Sequence, residues 1–324
     1  MYSIEELIDI ADKGILNVNI PKEPNRLYEP IRYTLASGGK RIRPVLVLAA
    51  CNMFSDSIEK ALYPALAIEL FHNFTLIHDD IMDNAPIRRN QPTVFAKWGQ
   101  DVAILSGDAL NILAYQQVSK TDKEYLSQVL TTFNKIALGV CDGQQYDMDF
   151  ENAQFVTQDE YIKMIELKTS VLLQGALEIG GIVGNASQAD ILRLGEFGKN
   201  LGLAFQLQDD LFDSYGNANT FGKQIGGDIV ENKKTFLTVK AFSQAKGKSL
   251  ELLTSYFKAQ GLDPLVKVKE VLKIYDELDV KTKTEEKIKE YFDNALTALD
   301  KINVNPEKRE ILRHLANRIM DRKN

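Results

Sequence analysis

Cysteine, tryptophan and histidine are scarce in this chain, with two, one and three residues among 324. Cys51 and Cys141 sit at no metal-ligand spacing, so a disulfide scaffold is not expected and a reduced, cytoplasmic setting fits best. Glycine (20) and proline (9) are few, which favours a mainly helical fold. No linker rich in proline, glycine or serine divides the chain, and no low-complexity tract is present. A basic excess is missing too: the net charge of -6 argues against a nucleic-acid binder. It leaves a phosphorylated substrate open, because lysines and arginines can still cluster locally. Long apolar runs are absent. PVLVLAA at 44–50 is too short to span a membrane, and VLLQGALEIGGIVG at 171–184, broken by Gln174 and Glu178, reads as a buried core helix. The opening MYSIEELIDIADKG is an amphipathic helix without the basic and apolar regions of a signal peptide.

Period-two strand patterning is nearly absent, and helical spacing dominates. It marks segments near 26–36, 43–54, 57–82, 100–119, 122–149, 158–184, 187–215, 233–246, 248–259, 263–276, 281–302 and 305–321. The expected architecture is all-α: a single domain over residues 1–324, a large helical bundle around a central cavity.

Two acidic clusters of one shape stand out: Asp79-Asp80-Ile81-Met82-Asp83 and Asp209-Asp210-Leu211-Phe212-Asp213. Both read D-D-x-x-D at the end of an apolar helical stretch. On a helix the first and last acids share a face, about 6 Å apart along the axis, with the middle one at its edge. Like charges so placed repel, and burying them is costly unless cations intervene. Two sets of hard oxygen donors point to Mg²⁺, which usually completes its shell with substrate phosphates.

Each cluster is followed by bases. Arg88 and Arg89 come after the first; Lys223, Lys233 and Lys234 come after the second, together with Asp228. An earlier turn, Ser37-Gly38-Gly39-Lys40-Arg41-Ile42-Arg43-Pro44, is basic without acids. Arginine forks and lysine point charges suit phosphates, and glycines let backbone approach an anion. The acid-and-base set therefore suits a metal-bound diphosphate, and the basic turn a second, metal-free one. His72, two turns before Asp79, is either a satisfied core residue or a ligand. His78 reads as structural.

With these pieces in view the chain resembles the trans-isoprenyl diphosphate synthases of the polyprenyl synthetase family. GGKRIRP (38–44), HNFTLIHDDIMDNAPIRRNQPT (72–93), LKTS (167–170), FQLQDDLFD (205–213) and GKQIGGDIVENKKT (222–235) carry the resemblance, over about three fifths of the chain. Asn90 departs from it, since glycine is common after the arginine pair. The resemblance implies the isoprenoid synthase type I fold, a homodimer, and isopentenyl and allylic diphosphates as substrates. It implies Mg²⁺, three ions with the allylic diphosphate bound, held by Asp79, Asp80, Asp83, Asp209, Asp210 and Asp213. Arg88, Lys168, Lys223 and Lys233 would hold the allylic diphosphate. Lys40, Arg43, His72 and Arg89 would form the isopentenyl diphosphate site. Thr169 and Gln206 would lie near the developing carbocation. Loops near 86–92 and 216–232 are candidates to close over the site.

Product length turns on the helix before Asp79. An ideal helix puts Thr75 about 40° and Phe71 about 80° from Asp79, but Phe74 about 140° away. Wheel geometry favours Phe71 as the floor of the tail cavity; the family resemblance favours Phe74. With the small Thr75 beside them, a C15–C20 product is expected, C20 slightly ahead. A class I terpene cyclase would not need the basic turn. A non-catalytic synthase subunit should have lost acids or bases. A di-iron bundle needs a second Glu-x-x-His beside Glu69–His72, and none exists.

Overall fold

Capping side chains decide where several helices begin in the computed structural model, which describes residues 2–216, 225–259 and 261–321. Ser3 opens α1 (Ile4–Leu16): its hydroxyl accepts the Glu6 N–H, and the Glu6 carboxylate accepts the Ser3 N–H. There follow α2 (Asn25–Ala36), α3 (Ile42–Phe54), α4 (Leu62–Met82), β1 (Ile87–Arg88), β2 (Gln91–Pro92), α5 (Val94–Trp98), α6 (Gln100–Val118) and α7 (Lys123–Asn152). The rest is α8 (Gln158–Ile165), α9 (Val171–Val183), α10 (Gln188–Tyr215), α11 (Gly227–Val230), α12 (Phe236–Gln244), α13 (Lys248–Lys258), α14 (Pro264–Glu277), α15 (Val280–Asp300) and α16 (Pro306–Met320). The fold is all-α, as the periodicity predicts. Among the described residues no helix is long and apolar enough to cross a membrane.

Two compact units emerge. One takes in Met1–Ala137, Gly175–Gly195 and Lys301–Leu312; the other Leu138–Gln174, Glu196–Asp300 and Arg313–Asn324. In the first, α3 is buried from Pro44 to Met53, an apolar run interrupted only by Asn52. Gly180 of α9 lies close on it: a Cβ there would come 2.3 Å from the Val47 carbonyl oxygen. Helix α4 packs along α6. In the second unit α10 is the shared spine. Its Leu203 and Leu207 pack with Tyr161, Met164 and Phe236, and its Leu211 with Ile229, Leu237 and Tyr275.

The continuous helix expected over 158–184 is interrupted. Glu166–Ser170 forms a π turn between α8 and α9. The widened turn is gripped from both sides at glycines. A Cβ on Gly143 of α7 would stand 2.2 Å from the Lys168 nitrogen, and one on Gly202 of α10 would stand 2.6 Å from Ser170 Cα. The Ser170 hydroxyl donates to the Lys199 carbonyl. Periodicity cannot reveal this, because one extra residue in a turn leaves the apolar pattern nearly intact. π turns are often found at functional sites, and this one carries Lys168 and Thr169.

Candidate active site

In the first unit α4 ends on the first acidic cluster. Asp79 and Asp80 occupy its last turn and Asp83 is its C-cap. Asp80 is 4% exposed and accepts a hydrogen bond from Arg88 Nε at 2.7 Å. Burial pushes its pKa up, and Arg88 opposes the rise. Asp79 is partly buried and Asp83 exposed. Asp80 therefore turns inward from the edge of the face that the helical wheel assigns to it. Arg88 is placed by the β1–β2 hairpin, which pairs Ile87 with Pro92 and Arg88 with Gln91. Its two central residues, Arg89 and Asn90, have φ of 52° and 60°. That is the geometry of a type I′ turn, and asparagine tolerates it nearly as glycine does. The Asn90 departure is thus conformationally silent.

Lys40, Arg43, His72 and Arg89 line one cavity of about 440 Å³. Arg89 folds over Gly39 and donates to the Gly38 carbonyl oxygen. Arg43 Nη1 lies 3.0 Å from His72 Nε2. Burial, then the positive charges of Arg43, Arg89, Arg88 and Arg41, hold His72 well below its ordinary pKa. The imidazole is neutral, and Nε2 accepts from Arg43. Burial lowers Arg43 only to about 10, so it remains a cation at neutral pH. Its Nε is buried without an acceptor among the described residues. Arg41 serves a different purpose, since its guanidinium binds Glu69 at 2.8 Å, Asp12 at 2.9 Å and the Leu35 carbonyl at 2.8 Å. That cancels Glu69, the acid in the cavity lining.

On the same helix Phe71 is 2% exposed and packs on Phe133 and Phe74, each with centroids 5.5 Å away. Phe74, only partly buried, meets His78 edge-on at 4.7 Å. The Thr75 hydroxyl donates to the His72 carbonyl at 2.8 Å. Phe71 is core; Phe74 is the more open of the two rings.

In the second unit a cavity of about 350 Å³ is lined by Lys168, Thr169, Gln206, Asp209, Asp210, Asp213 and Lys233, all singled out in the sequence. Lys223 lies outside the described residues. The lining adds Asp147, Tyr161, Asp228 and Lys234. Asp228 and Lys234 are visible as charges in GKQIGGDIVENKKT, but no spacing selects them. Tyr161 and Asp147 carry no sequence signal of their own. Lys168 Nζ donates to Asp147 at 2.5 Å. Asp210, 4% exposed, is the hub. It accepts from the Tyr161 hydroxyl, from Gln206 Nε2 at 3.2 Å and from the Phe236 N–H at 3.3 Å. Gln206 in turn accepts from Thr169 Oγ1 at 3.0 Å. Asp213 accepts the Asp228 N–H at 3.0 Å and so fastens α11 beside α10. Burial and Asp228 raise Asp210 to about 8; burial, then Asp213 and Asp209, raise Asp228 to about 7.

Residues 24–275 match the Polyprenyl synthetase family. The chain belongs to that family. It is 40% identical over 247 residues to the geranylgeranyl diphosphate synthase of Methanosarcina mazei, covering 76% of this chain and 75% of that one. A solved geranylgeranyl pyrophosphate synthase superposes with a TM-score of 0.95 at 37% identity over the whole of both chains. The geranylgeranyl pyrophosphate synthetase of Pyrococcus horikoshii superposes at 0.92 with 34% identity, covering 98% of this chain and 97% of that one. This polyprenyl synthetase therefore has the isoprenoid synthase fold, and it is a prenyltransferase.

The family uses Mg²⁺, and the donor set fits it. Asp209, Asp213 and Asp228 are hard oxygen donors around one cavity, and their mutual repulsion is what a divalent cation relieves. Among the described residues no group of three or more His, Cys, Asp or Glu side chains is by itself placed to hold a metal ion. Mg²⁺ is commonly held this way, with substrate phosphates completing the shell.

Proposed function

We propose that this synthetase condenses isopentenyl diphosphate with dimethylallyl, geranyl or farnesyl diphosphate to give a short-chain all-trans product of C15–C20, geranylgeranyl diphosphate ahead of farnesyl diphosphate. One observation carries the reading: two chemically different anion sites. The cavity of the first unit offers Lys40, Arg43 and Arg89 with a neutral histidine and an orphan Arg43 Nε, and its one acid is cancelled. It suits a diphosphate without metal. The cavity of the second unit mixes carboxylates with Lys168 and Lys233 and suits a diphosphate carrying metal. Relatives named as geranylgeranyl diphosphate synthases support the C20 preference.

Asp79 and Asp83, and Asp209 and Asp213 with Asp228, would hold three Mg²⁺ ions once the allylic diphosphate is bound. Asp80 and Asp210 complete the clusters from behind, anchored to Arg88 and Tyr161. Mg²⁺ held by these acids would supply charge neutralisation to the leaving diphosphate. Lys168 and Lys233 add positive charge to the cavity of the second unit; the family resemblance adds Arg88 and Lys223, the latter outside the described residues, to the groups that hold the allylic diphosphate. The allylic C–O bond breaks, leaving a cation and diphosphate. The double bond of isopentenyl diphosphate, held by Lys40, Arg43, His72 and Arg89, attacks that cation and forms the new C–C bond. A proton then leaves to the departed diphosphate. Thr169 and Gln206 put oxygen atoms on the cavity wall, where their dipoles favour the cation. No protein nucleophile takes part. The protein works as one domain over 1–324, as a homodimer in the cytoplasm. The open apolar Leu105 and Ile112 on α6, 59% and 61% exposed, support the dimer.

Incubating the purified protein with Mg²⁺, isopentenyl diphosphate and each allylic starter, then measuring product chain length, tests this reading. A C20 product is expected to dominate; no prenyl transfer from any starter would overturn it.

A further inference from the structure

The second unit holds another cavity, of about 390 Å³, that no step of the proposed reaction uses. Three aromatic rings stand in its walls beside aliphatic Ala153, Val156 and Val239 and polar Gln154, Thr238 and Thr254. Phe242 and Phe257 meet edge to face with centroids 5.3 Å apart. Phe155, on the stretch between α7 and α8, lines it while remaining 60% exposed. A large ring left open beside an apolar hollow marks a surface that something covers.

The charge around the cavity is of one sign. No aspartate or glutamate lines it, but Lys234 and Lys258 do. The Lys234 ammonium is partly buried, and the hydrogen bond it makes is a long one of 3.4 Å, to the Asn232 carbonyl. Lys267, whose ammonium lies over the Phe257 ring, has its pKa lowered by burial and then by the nearby Lys234. It too is held by neutral oxygens, Val230 O at 3.1 Å and Asn232 Oδ1 at 2.6 Å. Among the described residues no carboxylate pairs with Lys234 or Lys258. The partly buried Lys234 and the exposed Lys258 line the same cavity with no carboxylate partner, and uncompensated cations there are a place for an anion. Lys234 also lines the catalytic cavity, so one ammonium borders both spaces.

We infer that this aromatic cavity is a second binding site for a prenyl diphosphate, the enzyme's own product, with the tail against Phe155, Phe242 and Phe257 and the diphosphate at Lys234 and Lys258. The inference rests on the activity proposed above. An inorganic anion would leave the rings bare, and a neutral hydrocarbon would leave the ammoniums bare; a prenyl diphosphate satisfies both. Occupancy draws the Lys234 ammonium away from the catalytic cavity, so accumulated product slows its own formation.

The test is equilibrium dialysis of labelled geranylgeranyl diphosphate against the full chain in excess chelator, which suppresses metal-dependent binding at the catalytic cavity. The expected result is metal-independent binding of about one equivalent per chain. It should weaken about tenfold or more in Phe155→Ser and in Lys258→Glu, two exposed positions outside the catalytic cavity. With saturating allylic starter, added product should inhibit the wild type and inhibit these variants at least about tenfold less, with kcat and KM unchanged when no product is added. Three results would overturn the site: no metal-independent binding, binding unchanged in both variants, or equal binding of a straight-chain alkyl phosphate, which means surface adsorption only. Failure of the activity itself reads out separately, as absence of prenyl transfer by the wild type.

Discussion

The two acidic clusters share a pattern and differ in how each treats its middle acid. Asp80 and Asp210 are equally buried, each 4% exposed. Asp80 meets a cation, the Arg88 guanidinium. Asp210 meets neutral donors only, from Tyr161, Gln206 and Phe236, and has Asp228 as an acidic neighbour. A cation compensates charge where it is buried; neutral donors satisfy lone pairs but leave the charge. Burial first, and then Asp228, drive Asp210 up to about 8; at Asp80 burial again leads, and Arg88 opposes it. One motif thus supplies a charge-paired anchor at one site and a hydrogen-bond hub at the other.

The largest expected effect asks whether the outer acids are nevertheless equivalent. Asp79→Asn and Asp209→Asn should each lower turnover by on the order of 10²–10³, measured with Mg²⁺ saturating, because each removes charge from a cation site. Near wild-type rates in either would break the symmetry of the two clusters. The middle acids should instead separate in stability. Arg88→Ala leaves buried Asp80 without its cation and should cost about 2 kcal/mol in urea unfolding, a value reduced because Arg88 is itself a third exposed. Tyr161→Phe removes one neutral donor of three from Asp210 and should cost about 1 kcal/mol. The reverse order would mean that Asp210, not Asp80, carries the compensated charge.

Smaller effects sharpen the contrast in surroundings. Only the first cluster has a partly buried neutral histidine two turns before it. His72 is held far below its ordinary pKa, so the unfolded chain takes up a proton below about pH 6.5 that the folded chain does not. Its contribution to stability is present above that pH and lost as pH falls, by at most about 1.4 kcal/mol per pH unit. Unfolding of His72→Gln at pH 7.0 and 5.5 should show a smaller loss on acidification than the wild type; an equal loss would mean that His72 is already protonated when folded. The smallest change is one of product distribution. Five residues before its first acid, α4 carries Phe74 and α10 carries Ala204. If Phe74 is the floor for the growing tail, Phe74→Ala should lengthen the products seen by chromatography after dephosphorylation. An unchanged pattern there, with longer products from Phe71→Ala, would move the floor to Phe71.

Much of this was legible in the residues. Helical spacing located nearly every long helix, because an amphipathic stripe and its caps are local properties. The acid pairs, the basic turn and the arginine pair were visible because their chemistry is written as spacing; the hairpin that carries the arginines was not, since period-two patterning is nearly absent there. Tyr161 was not: it reaches Asp210 from forty-nine residues away, and an isolated tyrosine on a short amphipathic helix has no pattern. The π turn escaped for a related reason, since the glycines that grip it, Gly143 and Gly202, lie on other helices.

By itself the sequence determined the helical fold class, the family and the inventory of acids and bases, since all of these depend on residue type and short-range order. Only the tertiary structure decided which charges are cancelled and which remain available. It assigned Arg41 to Glu69 and Asp12, gave Arg88 to Asp80, left Arg43 Nε without an acceptor, and set Lys234 between two cavities. The physical reason is that the electrostatic state of a side chain depends on its burial and on partners from distant parts of the chain, and neither follows from its own neighbours in sequence.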